Sequence, residues 1–104
     1  VMKYSSDPKQ NSKRVALFLY LHGLGILLEE NYIPAEIIYK MDQNGMAPIM
    51  YWEKFKSIIY QERKRNNNPD MWKYFESDAL EMKRLREQKG LPTEWSSEEM
   101  RFIE

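Results

Sequence analysis

Residues 51–76 read YWEKFKSIIYQERKRNNNPDMWKYFE, and this stretch decides the fold. Before the run of asparagines, apolar residues recur at the three- and four-residue spacing of an amphipathic helix, at Trp52, Phe55 and Ile59. Asn68, Pro69 and Asp70 then have the order of a helix cap, a first helical residue and a first-turn acid. The stretch predicts two helices joined by a short turn, which favours antiparallel packing.

Proline and glycine divide the rest of the chain into further helices. The first predicted helix covers 8–30 with a Ser6-Asp7 cap, and the second begins at Pro34 and ends at Gly45. A third helix covers 48–65, and a fourth covers 69–89 and stops at Gly90. A Ser96/Glu99 capping box starts a short terminal helix. No useful length alternates with the period of a strand. We therefore predict an all-α fold, a compact bundle of four main helices plus a short C-terminal helix.

The 104 residues are enough for one small domain with one core. We expect a single domain over 1–104, with a core over 8–90 and a C-terminal extension over 91–104. The chain opens on Val1, so we expect it to be part of a longer protein. In the first helix, the apolar run 15–28 is shorter than the roughly 20 residues of a membrane span. We interpret this helix as the most buried one. Its Gly23 and Gly25 indicate close packing or a local break.

The sequence contains few residues of the types that usually carry catalysis. The chain has no Cys and one His, which excludes thiolate chemistry and a multi-histidine zinc site. His22 lies in the most apolar segment, where we expect a structural role. The carboxylate pairs Glu29-Glu30 and Glu98-Glu99 lie at polar edges, where solvation is the default. We predict no catalytic, cofactor-binding or metal-binding residue, no cofactor, and a protein that is not an enzyme.

The net charge is zero, but charge is arranged in blocks. Basic residues gather at the start of the chain and at the ends of the third and fourth helices. The candidate interaction surface that they suggest comprises Lys54, Lys56, Arg63, Lys64, Arg65, Lys83, Arg84 and Arg86. Such a surface would suit an anionic membrane or nucleic acid. Cations at helix C-termini also complement the helix dipole, and that interpretation is favoured.

Aromatic residues near these cations allow two interpretations as well. Trp52, Phe55, Tyr60, Trp72, Tyr74 and Phe75 would provide stacking surfaces for a single strand of nucleic acid. Four of them, Trp52, Phe55, Trp72 and Phe75, fall on the predicted inward faces of their helices. We therefore favour a core role. A domain this rich in Trp and Tyr is also expected to leave an apolar patch, so homo-oligomerisation is one expectation.

The chain resembles a family of uncharacterised bacterial all-helical domains of unknown function. In that family, a Trp-Glu-x-aromatic helix ends in Arg, an Asn-Pro turn follows, and the next helix carries aromatic-x-x-Phe-Glu. The matching residues here are Trp52, Glu53, Phe55, Arg63, Asn68, Pro69, Trp72, Phe75 and Glu76. The resemblance covers roughly 15–85 and leaves out the extension after about Leu85.

The resemblance implies a domain without known enzymatic activity, on the cytoplasmic side of one or two membrane-spanning helices. We expect a helical protein-interaction module whose protein partner is unknown. It would be the cytoplasmic domain of a bacterial membrane-anchored protein, tethered by a segment before Val1. The alternative is a nucleic-acid-binding domain that uses the basic helix ends, and a small hydrolase is a third hypothesis. We also predict an Arg63–Glu76 ion pair across the Asn-Pro turn.

Overall fold

A computed structural model describes residues 8–103 and confirms the all-α prediction. Its helices are α1 (Pro8–Glu29), α2 (Ala35–Met41), α3 (Met46–Arg65), α4 (Lys73–Gln88) and a 3-10 helix over Glu99–Ile103. No strand occurs among these residues. The predicted Ser6-Asp7 cap lies outside the described part of the chain.

Helix α4 lies at the centre of the bundle and packs against α1, α2 and α3. The main core cluster joins α1, α3 and α4 through Phe18, Leu21, Trp52, Phe55, Ile58, Ile59, Phe75 and Ala79. A second cluster includes α2 and comprises Leu24, Ile38, Tyr39, Ile49, Met82 and Leu85. Helices α3 and α4 form an antiparallel hairpin, because the end of α3 contacts the start of α4 and Ile49 lies near Lys83. The predicted hairpin is therefore confirmed.

Helix α4 begins later than predicted, at Lys73 instead of Pro69. Asn68 is therefore not the N-cap of α4, a position that Trp72 occupies. Its Oδ1 instead accepts a hydrogen bond from the Asp70 amide at 3.3 Å, as in an Asx turn. The chain then makes two turns, and Trp72 adopts left-handed backbone angles with φ of 60°. Arg63 Nε donates a hydrogen bond to the Met71 carbonyl oxygen. In a helix starting at Pro69, that oxygen would accept a hydrogen bond from a backbone amide of the same helix. A side chain from α3 therefore competes with the helix that the local sequence predicts.

The join between α2 and α3 also differs from the prediction. The second helix ends at Met41 and not next to Gly45, because Gln43 and Asn44 take positive φ values of 58° and 57°. Gly45, with φ of 79°, instead precedes α3. That helix starts at Met46, two residues before the predicted start. Pro48 is tolerated in its first turn because the amides there have no partner within the helix.

The interpretation of the first helix as the most buried one is wrong. Only one face of α1 is covered, and Leu19 and Ile26 remain 57% and 37% exposed. Helix α3 buries more of its residues, along most of its length. The two glycines of α1 have different packing environments. A Cβ at Gly25 would overlap the Tyr74 carbonyl, so α4 packs directly on this backbone, whereas a Cβ at Gly23 would contact nothing.

The C-terminal predictions are confirmed. Gly90 adopts φ of 71°, and the Leu91 amide donates a hydrogen bond to the Arg86 carbonyl at 2.9 Å, as in the Schellman motif at a helix C-terminus. The Ser96 amide donates to Glu99 Oε1 at 2.9 Å, and the Glu99 amide donates to Ser96 Oγ at 3.1 Å. This reciprocal pair is the predicted capping box, and it starts the 3-10 helix.

Candidate interaction surfaces

The Arg63–Glu76 pair holds the α3–α4 turn. Arg63 Nη2 donates to Glu76 Oε1 at 2.9 Å, which confirms the predicted ion pair. Arg63 Nε also donates to the Met71 carbonyl at 2.8 Å. The two side chains are only 15% and 29% exposed, so water screens the pair less than it would a surface pair. The function of this Arg is to fix the turn, which leaves it poorly placed for a ligand.

The aromatic residues of the hairpin form core. Trp52, Phe55 and Phe75 are buried, which confirms the core interpretation over a stacking surface for these three. The Trp52 and Phe75 rings meet edge to face with centroids 5.4 Å apart. Trp72 is partly buried and contacts Phe18 of α1 with a centroid distance of 5.4 Å. The Asn68-Pro69 turn therefore places Trp72 on α1 and links the hairpin to the first helix.

The predicted basic surface is divided among several environments. Lys64 and Arg65 are exposed at the end of α3, and Lys54 and Lys83 are half-buried. Two further cations pair with acids on their own helices: Lys56 Nζ lies 2.9 Å from Glu53 Oε1, and Arg84 Nε donates to Glu81 Oε1 at 2.9 Å. At the end of α3, the exposed cations are Lys64 and Arg65, although Arg65 Nη2 also lies 3.8 Å from Glu62 Oε2.

Arg86 does not belong to an exposed basic surface, so its place in the predicted set is a correction. The residue is 6% exposed. Its Nε donates to the Pro92 carbonyl at 2.7 Å, and its Nη1 donates to the Asn44 carbonyl at 2.8 Å. The guanidinium also lies 5.3 Å from the Trp95 ring centroid. Arg86 thus binds the α2–α3 turn and the C-terminal extension to α4, because a buried guanidinium needs these acceptors.

Sequence reasoning missed a cluster of two buried acids, Asp42 and Asp78, together with the exposed Tyr20. Asp42 and Asp78 are 4% and 0% exposed. Tyr20 Oη donates to Asp42 Oδ1 at 3.2 Å, while Asp42 Oδ2 and both Asp78 carboxylate oxygens have no hydrogen-bond partner in the described structure. The sequence held a signal for Asp78, because it lies three residues after Phe75 and four before Met82, on the apolar face of α4.

Burial changes the proton affinity of this cluster. Desolvation, together with the charge of Asp42, raises the pKa of Asp78 to about 8. Desolvation also raises the pKa of Asp42, against the opposing effect of its hydrogen bond from Tyr20. Asp78 is therefore expected to hold a proton at neutral pH, because its charged form would be fully buried beside Asp42.

His22 occupies a half-buried position between aromatic rings, and its Nδ1 is buried without a hydrogen-bond partner in the described structure. Its ring centroid lies 5.5 Å from that of Trp72 and 5.3 Å from that of Tyr74, both edge to face. Burial lowers the pKa of His22, since the charged imidazolium loses hydration. No group of three or more His, Asp or Glu side chains in the described residues is arranged to hold a metal ion.

An open groove of about 740 Å³ lies between the end of α1, the start of α2 and the outer face of α4. Its apolar lining consists of Leu28, Ile33, Pro34, Ala35 and Leu80, and its polar lining includes Glu29, Ser77, Glu81 and Arg84. Leu80 is 58% exposed, although it lies in the middle of α4. A second groove of about 300 Å³ lies on the other side of Leu80, against Trp95 and Met100. Grouped apolar exposure of this kind is typical of binding surfaces.

In residues 8–103, no helix combines the length and the apolar character that a membrane crossing requires. No curated protein matches this chain, and no solved structure does either. A family model described as a domain of unknown function (DUF4760) matches residues 3–82, which span α1, α2, α3 and most of α4. The chain therefore belongs to the DUF4760 family of domains of unknown function.

Proposed function

We propose that this domain is a helical protein-interaction module that binds a protein partner through the groove beside Leu80. The observation that carries the proposal is the exposure of Leu80, a large apolar side chain in the middle of a long helix, next to Leu28 and Ile33. Covering these side chains would remove apolar area from water, at roughly 25 cal/mol per Å². The paired Glu81 and Arg84 at the edge would give a polar rim around an apolar centre, which is the usual arrangement of an interface.

The setting that we propose is the cytoplasmic side of a bacterial membrane, with the domain tethered through a preceding segment. This part of the proposal rests on the resemblance described above and on the basic residues at the start of the chain. Juxtamembrane cations are attracted to the anionic inner leaflet. Membrane fractionation of the full-length native protein tests it, and recovery in the soluble fraction would contradict it.

Site-specific photo-crosslinking of the full-length protein tests the groove. A crosslinker in place of Leu80 should capture one defined protein, whereas the same crosslinker in place of Gln61, an exposed residue of α3, should not. Leu80→Glu should then weaken binding of the purified partner by about tenfold or more, because it places a charge in the apolar centre. Equal capture from both positions would contradict the groove as the binding site.

Nucleic-acid binding remains the alternative, favoured by the exposed Lys64 and Arg65 at the end of α3. It predicts DNA or RNA binding that weakens steeply as salt is raised. The double variant Lys64→Gln/Arg65→Gln should abolish such binding and leave the Leu80 crosslink intact. A titration without any shift at low salt would reject this alternative.

A further inference from the structure

The outer face of α1 carries an apolar stripe that the other described residues leave uncovered. We define the α1 stripe as Ala16, Leu19, Gly23 and Ile26, whose spacing of three and four residues places them along one line of the helix. Leu19 is 57% exposed and Ile26 is 37% exposed. The buried residues of α1, among them Phe18, Leu21 and Gly25, lie on the opposite face.

Packing within the described monomer does not explain why position 23 is a glycine. A glycine inside a helix costs about 1 kcal/mol relative to alanine. Gly25 has a packing reason, since α4 leaves no room for a Cβ there. At Gly23 a Cβ would meet open space, so nothing within the described chain requires the missing side chain. Glycine on a helix surface is typical of positions where another backbone or a large side chain approaches closely.

We propose that the α1 stripe binds the same stripe of a second copy of this chain, as an antiparallel pair of helices. The two-fold axis would cross α1 at the height of residue 21 along the helix. It would place Leu19 against Gly23 of the second copy and Ala16 against Ile26 of the second copy. Each large side chain thereby meets a small one, and the spacing is that of the a and d positions of a coiled coil. The pair is isologous, so each contact occurs twice.

Charge selects the antiparallel orientation and the second copy as the occupant. The segment 15–28 carries no charged residue, while exposed Lys13 precedes it and exposed Glu30 follows it. The same axis brings Lys13 close to Glu30 of the second copy, at both ends of the pair. A parallel pair would instead place like charges together. The surface is separate from the groove beside Leu80, so this inference does not rest on the proposed function.

The expected dimer is weak. A single helix of 22 residues is about 33 Å long, and one face of it covers less than the roughly 800 Å² per partner of a standard interface. Sedimentation equilibrium of the 104-residue chain over a wide concentration range is therefore the suitable measurement. We expect self-association to a dimer at concentrations above about 10 μM. A chain that stays monomeric up to millimolar concentration overturns the proposal.

Two substitutions locate the interface. Leu19→Glu and Gly23→Leu should each weaken the dimer by about a hundredfold, because each change occurs twice in a symmetric pair. Both positions face solvent in the monomer, so thermal unfolding should show that the variants stay folded. The matched control is Leu80→Glu on α4, which is equally exposed and should leave the dimer unchanged. A dimer that resists the two α1 variants, or that Leu80→Glu disrupts to the same extent, overturns the proposal.

A charge exchange tests the orientation. Lys13→Glu and Glu30→Lys should each weaken the dimer by about tenfold at low salt, since each creates two like-charge contacts. The double variant should restore the affinity, because it exchanges the two charges of each antiparallel contact. In a parallel pair each reversal keeps like charges together, so affinity would not fall and then recover. Absence of restoration overturns the antiparallel arrangement.

Discussion

Arg63 Nη2 and Glu76 Oε1 lie 2.9 Å apart, although the two residues are separated by thirteen positions and by the whole α3–α4 turn. The same guanidinium holds the Met71 carbonyl through Nε. Arg63 thereby connects the end of α3 with the last turn before α4 and with the first turn of α4 itself. Arg63 thus fixes the turn of the predicted hairpin, while core contacts such as Trp52 on Phe75 hold its two helices together.

Arg63→Met should lower the free energy of unfolding by about 2–3 kcal/mol, because it removes two hydrogen bonds and leaves the Glu76 carboxylate without its cation. Glu76→Gln should be milder, near 1 kcal/mol, since its amide oxygen still accepts from the guanidinium. Urea unfolding measures both changes. Lys64→Met, at an exposed neighbouring position, is the control and should change little. Equal effects of the Arg63 and Lys64 substitutions would refute the role of the pair.

Asp78 should make stability fall as pH rises. Its pKa is about 8 in the folded chain and near 3.8 when unfolded, so the folded state holds a proton that the unfolded state releases between these values. Its contribution to stability is complete below about pH 4 and is lost progressively up to about pH 8, by up to about 1.4 kcal/mol per unit. Asp42 acts in the same direction, since burial raises its pKa as well.

Asp78→Asn should therefore flatten the dependence of stability on pH and raise stability at pH 8 relative to the native chain, because the amide does not have to take up a proton when the chain folds. Thermal unfolding from pH 5 to pH 9 measures this. Glu87→Gln, an exposed substitution on the same helix, should keep the native pH dependence. Parallel curves for the native chain and Asp78→Asn would show that Asp78 does not hold a proton.

The two glycines of α1 should respond to alanine with opposite signs. Gly23→Ala should raise the free energy of unfolding by about 1 kcal/mol, because the added methyl group enters open space and favours the helix. Gly25→Ala should lower it by about 3 kcal/mol or more, because the methyl group overlaps the Tyr74 carbonyl and forces α1 away from α4. Unfolding at dilute, monomeric concentration gives both values. Changes of the same sign would contradict this difference in packing.

Arg86 should determine whether the C-terminal extension stays on the bundle. Arg86→Met should destabilise the chain by about 2–3 kcal/mol, since it removes donors from the Asn44 and Pro92 carbonyls. Hydrogen exchange should accelerate in residues 91–96, which lose their attachment to α4. Arg84→Met, an exposed neighbour, should stay within about 0.5 kcal/mol and leave the exchange unchanged. Unchanged exchange in Arg86→Met would show that other contacts hold the extension.

Sequence determined the parts of this protein that depend on neighbours along the chain. The spacing of Trp52, Phe55 and Ile59 gave a helix with a buried face, and Ser96 with Glu99 gave the capping box. Gly90 marked the end of α4. Each of these signals acts over three or four residues, because hydrogen bonds and side-chain contacts within one helix have that range. The same local rules placed Arg63 and Glu76 on either side of one short turn, which is why their pairing was predictable.

Tertiary structure decided the features that depend on how one helix or turn meets another. The start of α4 moved to Lys73 because Arg63 takes the Met71 carbonyl, and Arg86 became internal because carbonyls from Asn44 and Pro92 converge on it. The burial of Asp78 likewise depends on packing between helices. Gly23 and Gly25 look equivalent in the sequence, yet one contacts α4 and the other faces solvent. Periodicity gives the face of a helix, but the neighbour that covers that face is set by the three-dimensional packing of the whole chain.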